Sequence, residues 1–388
     1  MSWECEMVPL NDERVFDTLN GLWKGKKEPF VEAGVIRNTN FTEGGHIDYS
    51  DVAWLEVEEK QLANRRLEPG DTIIERSGGG PNRPVGRVVY FDREDGAFSF
   101  SNFTSAIRVK DTQRFDPRFV FYRLMDLYQS GSTTDLQRQT TNIRNLDFTG
   151  YKERARFPRL PLPEQRRIAQ VLGTVQEAIA QQERLIRTTT ELKQALMQKL
   201  FTEGLHGETL KETEIGLIPE SWEVMRLEDV MNCHDGKRKP VTQSDRIPGP
   251  YPYYGASGVT DHVDGYLFDG DYLLIAEDGE NLVSRKLPIA FIARGKFWVN
   301  NHAHVLSMKH GNLNFYEQYI AQMEIEDYLS GTTRPKLNKG LMMSIKLPCP
   351  SLEEQNEIAE ALVVCDTKRV SAARKMNALQ DLLSHSAS

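Results

Sequence analysis

The chain writes one phrase twice, roughly half its length apart, and each copy opens a long helical pattern. Leu160-Pro161-Leu162-Pro163-Glu164-Gln165-Arg166-Arg167-Ile168-Ala169 leads into one amphipathic run, and Leu347-Pro348-Cys349-Pro350-Ser351-Leu352-Glu353-Glu354-Gln355-Asn356-Glu357-Ile358-Ala359 into another. Other landmarks recur at similar offsets. Leu-Glu-Pro-Gly-Asp at 67–71 answers Leu-Phe-Asp-Gly-Asp at 267–271, and Ser2-Trp3-Glu4 answers Ser221-Trp222-Glu223. A repeat this large is a whole module. The sequence therefore predicts an α/β (α+β) fold of two similar globular modules separated by two long helices, a pseudo-two-fold internal repeat. Such a chain carries two heads rather than one catalytic cavity.

Periodicity places the helices. After Pro163, the residues Ile168, Leu172, Val175 and Ile179 follow at spacings of four and three; Leu185, Leu192, Leu196 and Leu200 continue less cleanly, with Gln182 and Thr189 interrupting. After Ser351 the run is Ile358, Leu362, Cys365, Arg369, Ala372, Met376, Leu379 and Leu383, a heptad with one charged interruption. These are coiled-coil seams. Ser351 with Glu354 has capping-box spacing, and Pro163 suits a helix start. Stripes so narrow do not sustain isolated helices. The two should pack antiparallel, with Ile168, Leu172 and Val175 across the seam from Ile358, Leu362, Leu379 and Leu383.

Within the modules, residues 71–75 and 86–91 read as strands and 117–127 as a helix; 272–276, 289–293 and a helix over 314–328 match them in the second copy. The divisions are 1–157 for the first module, 158–204 for the central helix, 205–350 for the connector and second module, and 351–388 for the last helix.

At 388 residues with 39% hydrophobic content, the chain has enough apolar material for two or three cores. No apolar stretch approaches the ~18 residues of a membrane span. The start of the chain lacks an export pattern, and Cys5, Cys233, Cys349 and Cys365 are scattered, so a cytoplasmic setting is expected. Net charge is −8, yet basic residues cluster. Between 330 and 347 stand Arg334, Lys336, Lys339 and Lys346 with no acid; between 137 and 160, six basic residues face Asp147 and Glu153. These stretches hold equivalent places before each long helix, which points to nucleic-acid contact.

Catalytic constellations are weak. Gly78-Gly79-Gly80 is not followed by the Lys and Ser/Thr of a phosphate-binding loop. Pro69-Gly70-Asp71 with Glu75-Arg76-Ser77 lacks the Lys a nuclease needs after its second carboxylate. His302-Ala303-His304 has no convincingly spaced metal partners, and 277–281 reads as an acidic turn. We expect no catalytic, cofactor or metal site in this chain.

Together these motifs resemble the specificity subunit of type I restriction-modification enzymes, HsdS. The resemblance rests on the doubled phrase, on Thr190-Glu191-Leu192-Lys193-Gln194-Ala195-Leu196-Met197-Gln198-Lys199-Leu200-Phe201-Thr202, on Ile215-Gly216-Leu217-Ile218-Pro219-Glu220-Ser221-Trp222-Glu223, and on Tyr251 to Val259 and Gly295 to Val305. It implies that each module is a target-recognition domain reading half of a split, asymmetric duplex DNA site. It also implies that the helices space the halves and hold modification subunits, typically two. Those partners would use S-adenosylmethionine to methylate adenine, and restriction subunits would use ATP and Mg. Two departures stand out: the first module lacks the Gly-x-Ile-Pro lead of 216–219, and the last helix lacks the tail of the central one. Less circular closure is expected.

Arg and Lys pair with guanine or phosphate, and Asn or Gln with adenine. First-module candidates for DNA contact are therefore Arg76, Asn82, Arg83, Gln137, Arg138, Gln139, Thr141, Asn142 and Arg144. Those of the second module are Lys237, Arg238, Lys239, Tyr254, Ser257, Arg285, Thr332, Thr333, Arg334 and Lys336. Each singly could equally be a solvated surface group. A coiled-coil scaffold without DNA binding remains the runner-up reading, and a self-contained nuclease or methyltransferase is disfavoured by the missing motifs.

Overall fold

The computed structural model describes residues 6–22, 25, 27–79, 83–139, 143–331 and 335–385. Two helices dominate the chain, Leu162–Glu203 of 42 residues and Leu352–His385 of 34. The compact units divide inside both helices. One unit comprises 1–183 with 375–388, and the other 184–374. Each thus takes a module and a piece of each helix. Among the described residues, no helix is long and apolar enough to cross a membrane.

The modules repeat strand for strand. In the first, a four-stranded antiparallel sheet runs in the order Phe16–Asn20, Thr104–Val109, Thr72–Glu75, Val88–Tyr90. In the second the order is Met231–Cys233, Ala303–Met308, Tyr272–Ala276, Ala290–Ala293. Beside each lies a second sheet, three-stranded in the first module and four-stranded in the second, with one parallel pairing, Phe30–Ile36 with Phe98–Phe100 and Pro248–Gly255 with Lys296–Val299. Each module is tied shut by its first and last strands: Met7–Pro9 pairs with Arg156–Pro158, and Glu223–Arg226 with Lys346–Cys349. The repeated Gly-Asp turns are also equivalent. Gly70 and Gly270 take φ of 103° and 132° just before the strands Thr72–Glu75 and Tyr272–Ala276, a conformation glycine adopts without a Cβ clash.

The doubled phrase has a physical task. Its glutamines are buried and latch each long helix to the start of a module helix. Gln165 Oε1 accepts from Asp116 N at 2.9 Å, while Nε2 donates to the carbonyls of Arg114 and Leu160 at 2.8 Å. Gln355 Oε1 accepts from Asn312 N at 2.8 Å, and Nε2 donates to Pro350 O at 2.9 Å. Asp116 and Asn312 are the N-caps of the helices Pro117–Gln129 and Leu313–Gln322. A primary amide supplies the needed donor and acceptor from one side chain. Replacing either glutamine by Ala strands buried backbone groups, at about 1–3 kcal/mol each; chemical denaturation of Gln165→Ala and Gln355→Ala should show losses of that size.

Two local expectations need correction. The second module helix stops at Gln322, and only a 3-10 turn, Glu326–Tyr328, follows; the break lets Ile325 turn fully into the core. Ser351 Oγ does accept from Glu354 N at 3.2 Å, but Glu354 does not return the bond as a capping box would. Its buried carboxylate instead accepts from Leu205 N and from the indole N–H of Trp222, both at 2.9 Å. Trp222 is fully buried there; its sequence counterpart, Ser2-Trp3-Glu4, lies outside the described residues.

The seam also differs from the heptad reading. In the second unit the helices run antiparallel, since Lys193 Nζ meets Asp366 Oδ2 at 2.7 Å while Leu205 N meets Glu354. Ile358 and Leu362 are fully buried in one cluster with Met197, Leu200 and Phe201, with Leu196 packed against it. They therefore face the end of the central helix and not Ile168, as antiparallel packing requires. Ile168 and Leu172 instead line a cavity of the first unit with Leu383. Val175, Ile179, Met376 and Leu379 are half-buried, and Cys365 is buried. Leu192 does not belong to the seam: it is 51% exposed, whereas Thr189, assigned as an interruption, is buried.

Candidate nucleic-acid interface

In the first unit the basic stretch after residue 136 folds as a hairpin. Gln137–Gln139 pairs with Arg144–Leu146, which pairs in turn with Ser77–Gly79. Asn82, Thr141, Asn142 and the side chain of Gln139 lie outside the described residues. Arg76 sits beneath the hairpin. Its Nη1 donates to Asn20 Oδ1 at 2.8 Å and Ser105 Oγ at 3.2 Å, and its guanidinium covers the Phe148 ring at 4.9 Å. Burial pulls its pKa below the ordinary arginine value. With Asn20, Arg138, Asn145, Phe148 and Lys152 it lines a polar pocket of about 340 Å³. Arg138 is exposed and reaches Asp147 at 2.8 Å; Arg83 is exposed and Arg144 half-buried. The Gln137 amide faces inward to the backbone of Val85, accepting at 3.3 Å and donating at 3.4 Å.

The second unit presents a loop at the equivalent place. Ser330 and Lys336 exchange two backbone hydrogen bonds of 2.8 and 2.9 Å; Thr332, Thr333 and Arg334, between them in sequence, lie outside the described residues. Lys336 enters an ion network. Lys336 Nζ lies 3.1 Å from Glu277 Oε1, and Arg238 Nη1 lies 2.6 Å from Glu277 Oε2. Arg238 also reaches Asp235 at 3.3 Å and Ala303 O at 2.8 Å. His304, 1% exposed, presents Nδ1 to Asp235 Oδ2 at 2.6 Å and Nε2 to Leu337 O at 2.7 Å. Burial pushes the Asp235 and Glu277 carboxyls up, but the bonds from His304 to Asp235 and from Arg238 and Lys336 to Glu277 outweigh it, leaving both below the ordinary range.

Several second-module candidates are engaged internally. Arg238 belongs to that network, Tyr254 packs on Phe291 and Phe297 with centroids 5.8 and 5.6 Å away, and Arg285 donates to Met323 O at 2.6 Å. Burial accounts for all three: each has a protein partner that sequence distance conceals. Lys237, Lys239 and Ser257 are exposed. The two histidines do not act together, since His302 faces Asp278 at 2.9 Å. Asp235, Glu277 and His304 have metal-ligand atoms within 4.8 Å of one another, but Arg238 and Lys336 already supply cations to these carboxylates.

Backbone bonds fix the equivalence of the two places. Arg76 N donates to Phe103 O and Leu146 N to Arg76 O; Glu277 N donates to His302 O and Leu337 N to Glu277 O. Arg76 thus corresponds to Glu277, Leu146 to Leu337, and Ser105 to His304. Sequence reasoning missed Asn20, Ser105 and Asp235, which carry no motif; their shared signal is only this structural register.

The doubled module and the two long helices have counterparts among known proteins. Residues 219–379 match the model of the type I restriction modification DNA specificity domain. Over 138 residues the chain is 41% identical to a type I restriction enzyme specificity subunit of Haemophilus influenzae, covering 35% of each protein. It is 24% identical over 332 residues to the MjaX specificity subunit of Methanocaldococcus jannaschii, covering 82% of this chain and 77% of that one. The MjaVIII subunit of the same organism is 27% identical over 287 residues, 65% and 64% of the two. The aligned stretches thus span 35% of the first relative's length and 64% of the third's. The crystal structure of a type I restriction-modification S subunit from M. genitalium has the same fold, with a TM-score of 0.69 at 16% identity over 100% of this chain and 96% of that one. Residues 219–379 thus carry the type I restriction modification DNA specificity domain, and the chain is similar to type I specificity subunits over most of its length.

Proposed function

We propose that this chain is the non-catalytic sequence reader of a DNA-modifying complex, each module contacting one half of a split duplex site. The observation that carries this reading is the placement of a basic loop, 137–146 and 330–336, on equivalent backbone positions of both modules. Arg83, Arg138, Lys237 and Lys239 are exposed nearby in sequence or fold, while Arg76 backs the first loop. The partners are modification subunits, two of them, that methylate adenine with S-adenosylmethionine; restriction subunits, where present, bring ATP and Mg. The chain itself turns over none of these.

Competition binding by the assembled complex tests the reading, using duplexes altered in one half at a time across several salt concentrations. Arg334→Ala should change preference in one half only. A bidentate guanine contact gives a loss of about 1–3 kcal/mol and relaxes one position; a phosphate contact weakens all sequences alike and shallows the salt slope by about one. Equal disturbance of both halves would refute separate reading.

A further inference from the structure

The register of the two modules places three polar side chains under each loop, and their chemistry differs between copies. In the first they are Asn20, Arg76 and Ser105; in the second Asp235, Glu277 and His304. Ser105 and His304 both lie on the strand that pairs with the 72–75 or 272–276 strand, and both are almost fully buried. The first set holds through neutral partners of a single guanidinium, Asn20 Oδ1 and Ser105 Oγ. The second is an ion network that reaches the loop itself.

His304 is the member that joins loop to sheet. Both ring nitrogens face acceptors: a carboxylate oxygen of Asp235 at 2.6 Å and the carbonyl of Leu337 at 2.7 Å. One side chain thus links the Asp235 carboxylate to the Leu337 backbone. Leu337 is the residue after Lys336, whose backbone pairs with Ser330 and whose ammonium binds Glu277. Asp235 is in turn fixed by Val305 N at 3.0 Å and by Arg238. A rigid chain of bonds therefore runs from the sheet, through His304, to the loop flank.

We propose that His304 is a positioning residue for target reading: bridging Asp235 and the Leu337 carbonyl, it holds Lys336 and Leu337 to the sheet and thereby sets the preference of the second module's half-site. In the first module Arg76, held by Asn20 and Ser105, occupies the equivalent place. This inference rests on the reading of the loops as DNA contacts, and it adds that a buried set beneath them, without touching DNA, shapes specificity. Distances of this kind matter because a bidentate base contact tolerates little displacement.

The test has two arms, each on the full chain with His304→Gln and, as a smaller change, Asp235→Asn. In the free protein, hydrogen exchange at the amides of Ser330, Lys336 and Leu337 should quicken at least about tenfold, while the 272–276 strand stays protected. In the complex with its modification partner, methylation profiling over randomised targets should show relaxed preference in one half and an unchanged other half. Unchanged loop exchange in both variants would overturn the clamp. Looser exchange with unaltered half-site preference would overturn its role in specificity and leave a purely structural network. A wild-type complex whose preference is unaffected by Arg334→Ala would instead remove the underlying loop reading, and this inference with it.

Discussion

Leu362→Ala should destabilise the second unit by about 2–5 kcal/mol, the range for emptying a buried leucine site. Leu362 is fully buried in the cluster that also holds Met197, Leu200, Phe201, Ile358 and Ala359, so the lost side chain leaves a cavity bounded by both long helices. Truncation removes dispersion contacts as well as transfer free energy, because the surrounding helices cannot collapse freely onto the gap. Leu192→Ala provides the internal control. A heptad reading makes the two leucines equivalent, but Leu192 is 51% exposed and its loss should stay within about 0.5 kcal/mol. Urea denaturation of both variants decides between the two seams. Comparable losses would restore Leu192 to the interface, and a neutral Leu362→Ala would remove the cluster from any part in stability.

That contrast shows how far the sequence could be read. The duplicated phrase, the two long helices and the strand at 272–276 were legible, because each is written in local periodicity or in a direct repeat. The seam was legible near Ile358, Leu362 and Cys365, and illegible near Leu192. A straight helix of 3.6 residues per turn drifts about 20° per heptad against a strict seven-residue pattern. Over 42 residues the facing side moves off Leu185 and Leu192 and onto Thr189 and Met197, which are buried. The long-range ion pair of Lys193 with Asp366 then marks the interface with charge where the pattern asked for leucine.

The candidate site divides in the same way. Charge clustering located both loops, since it is a property of neighbours in sequence. It could not separate Lys237, which is exposed, from Arg238, which is held by Glu277 and Asp235. Only the strand register brings residue 277 to residue 238. The internal bonds of Gln137 and Arg285 were hidden for the same reason: their partners, Val85 and Met323, are backbone groups far along the chain, and a backbone group leaves no signature in the sequence.

Glu317→Gln should make the second unit more stable at neutral and alkaline pH and leave it nearly unchanged near pH 4.5. Burial pushes the Glu317 carboxyl up to about 7; the nearby Asp366 raises it further, while Lys193 and the hydrogen bond from Gln318 pull it back. Gln318 Nε2 donates to Glu317 Oε2 at 2.7 Å and to Asp366 Oδ2 at 3.2 Å, so the two carboxyls share one donor beside the helix pair. The folded protein thus holds this proton more tightly than the unfolded chain does. Its contribution is fully present below the ordinary value of 4.5, declines as pH rises, and is lost once pH passes about 7. A shift of this size corresponds to about 2–3 kcal/mol after allowance for residual solvent. Glutamine keeps the acceptor oxygen and carries no charge at any pH. The difference in melting temperature between variant and parent should therefore widen from pH 4.5 to about pH 7 and stay level above it, by several degrees for a unit of this size. A gap independent of pH would show that Glu317 ionises as freely in the folded protein as in water, and that its place beside Asp366 carries no electrostatic cost.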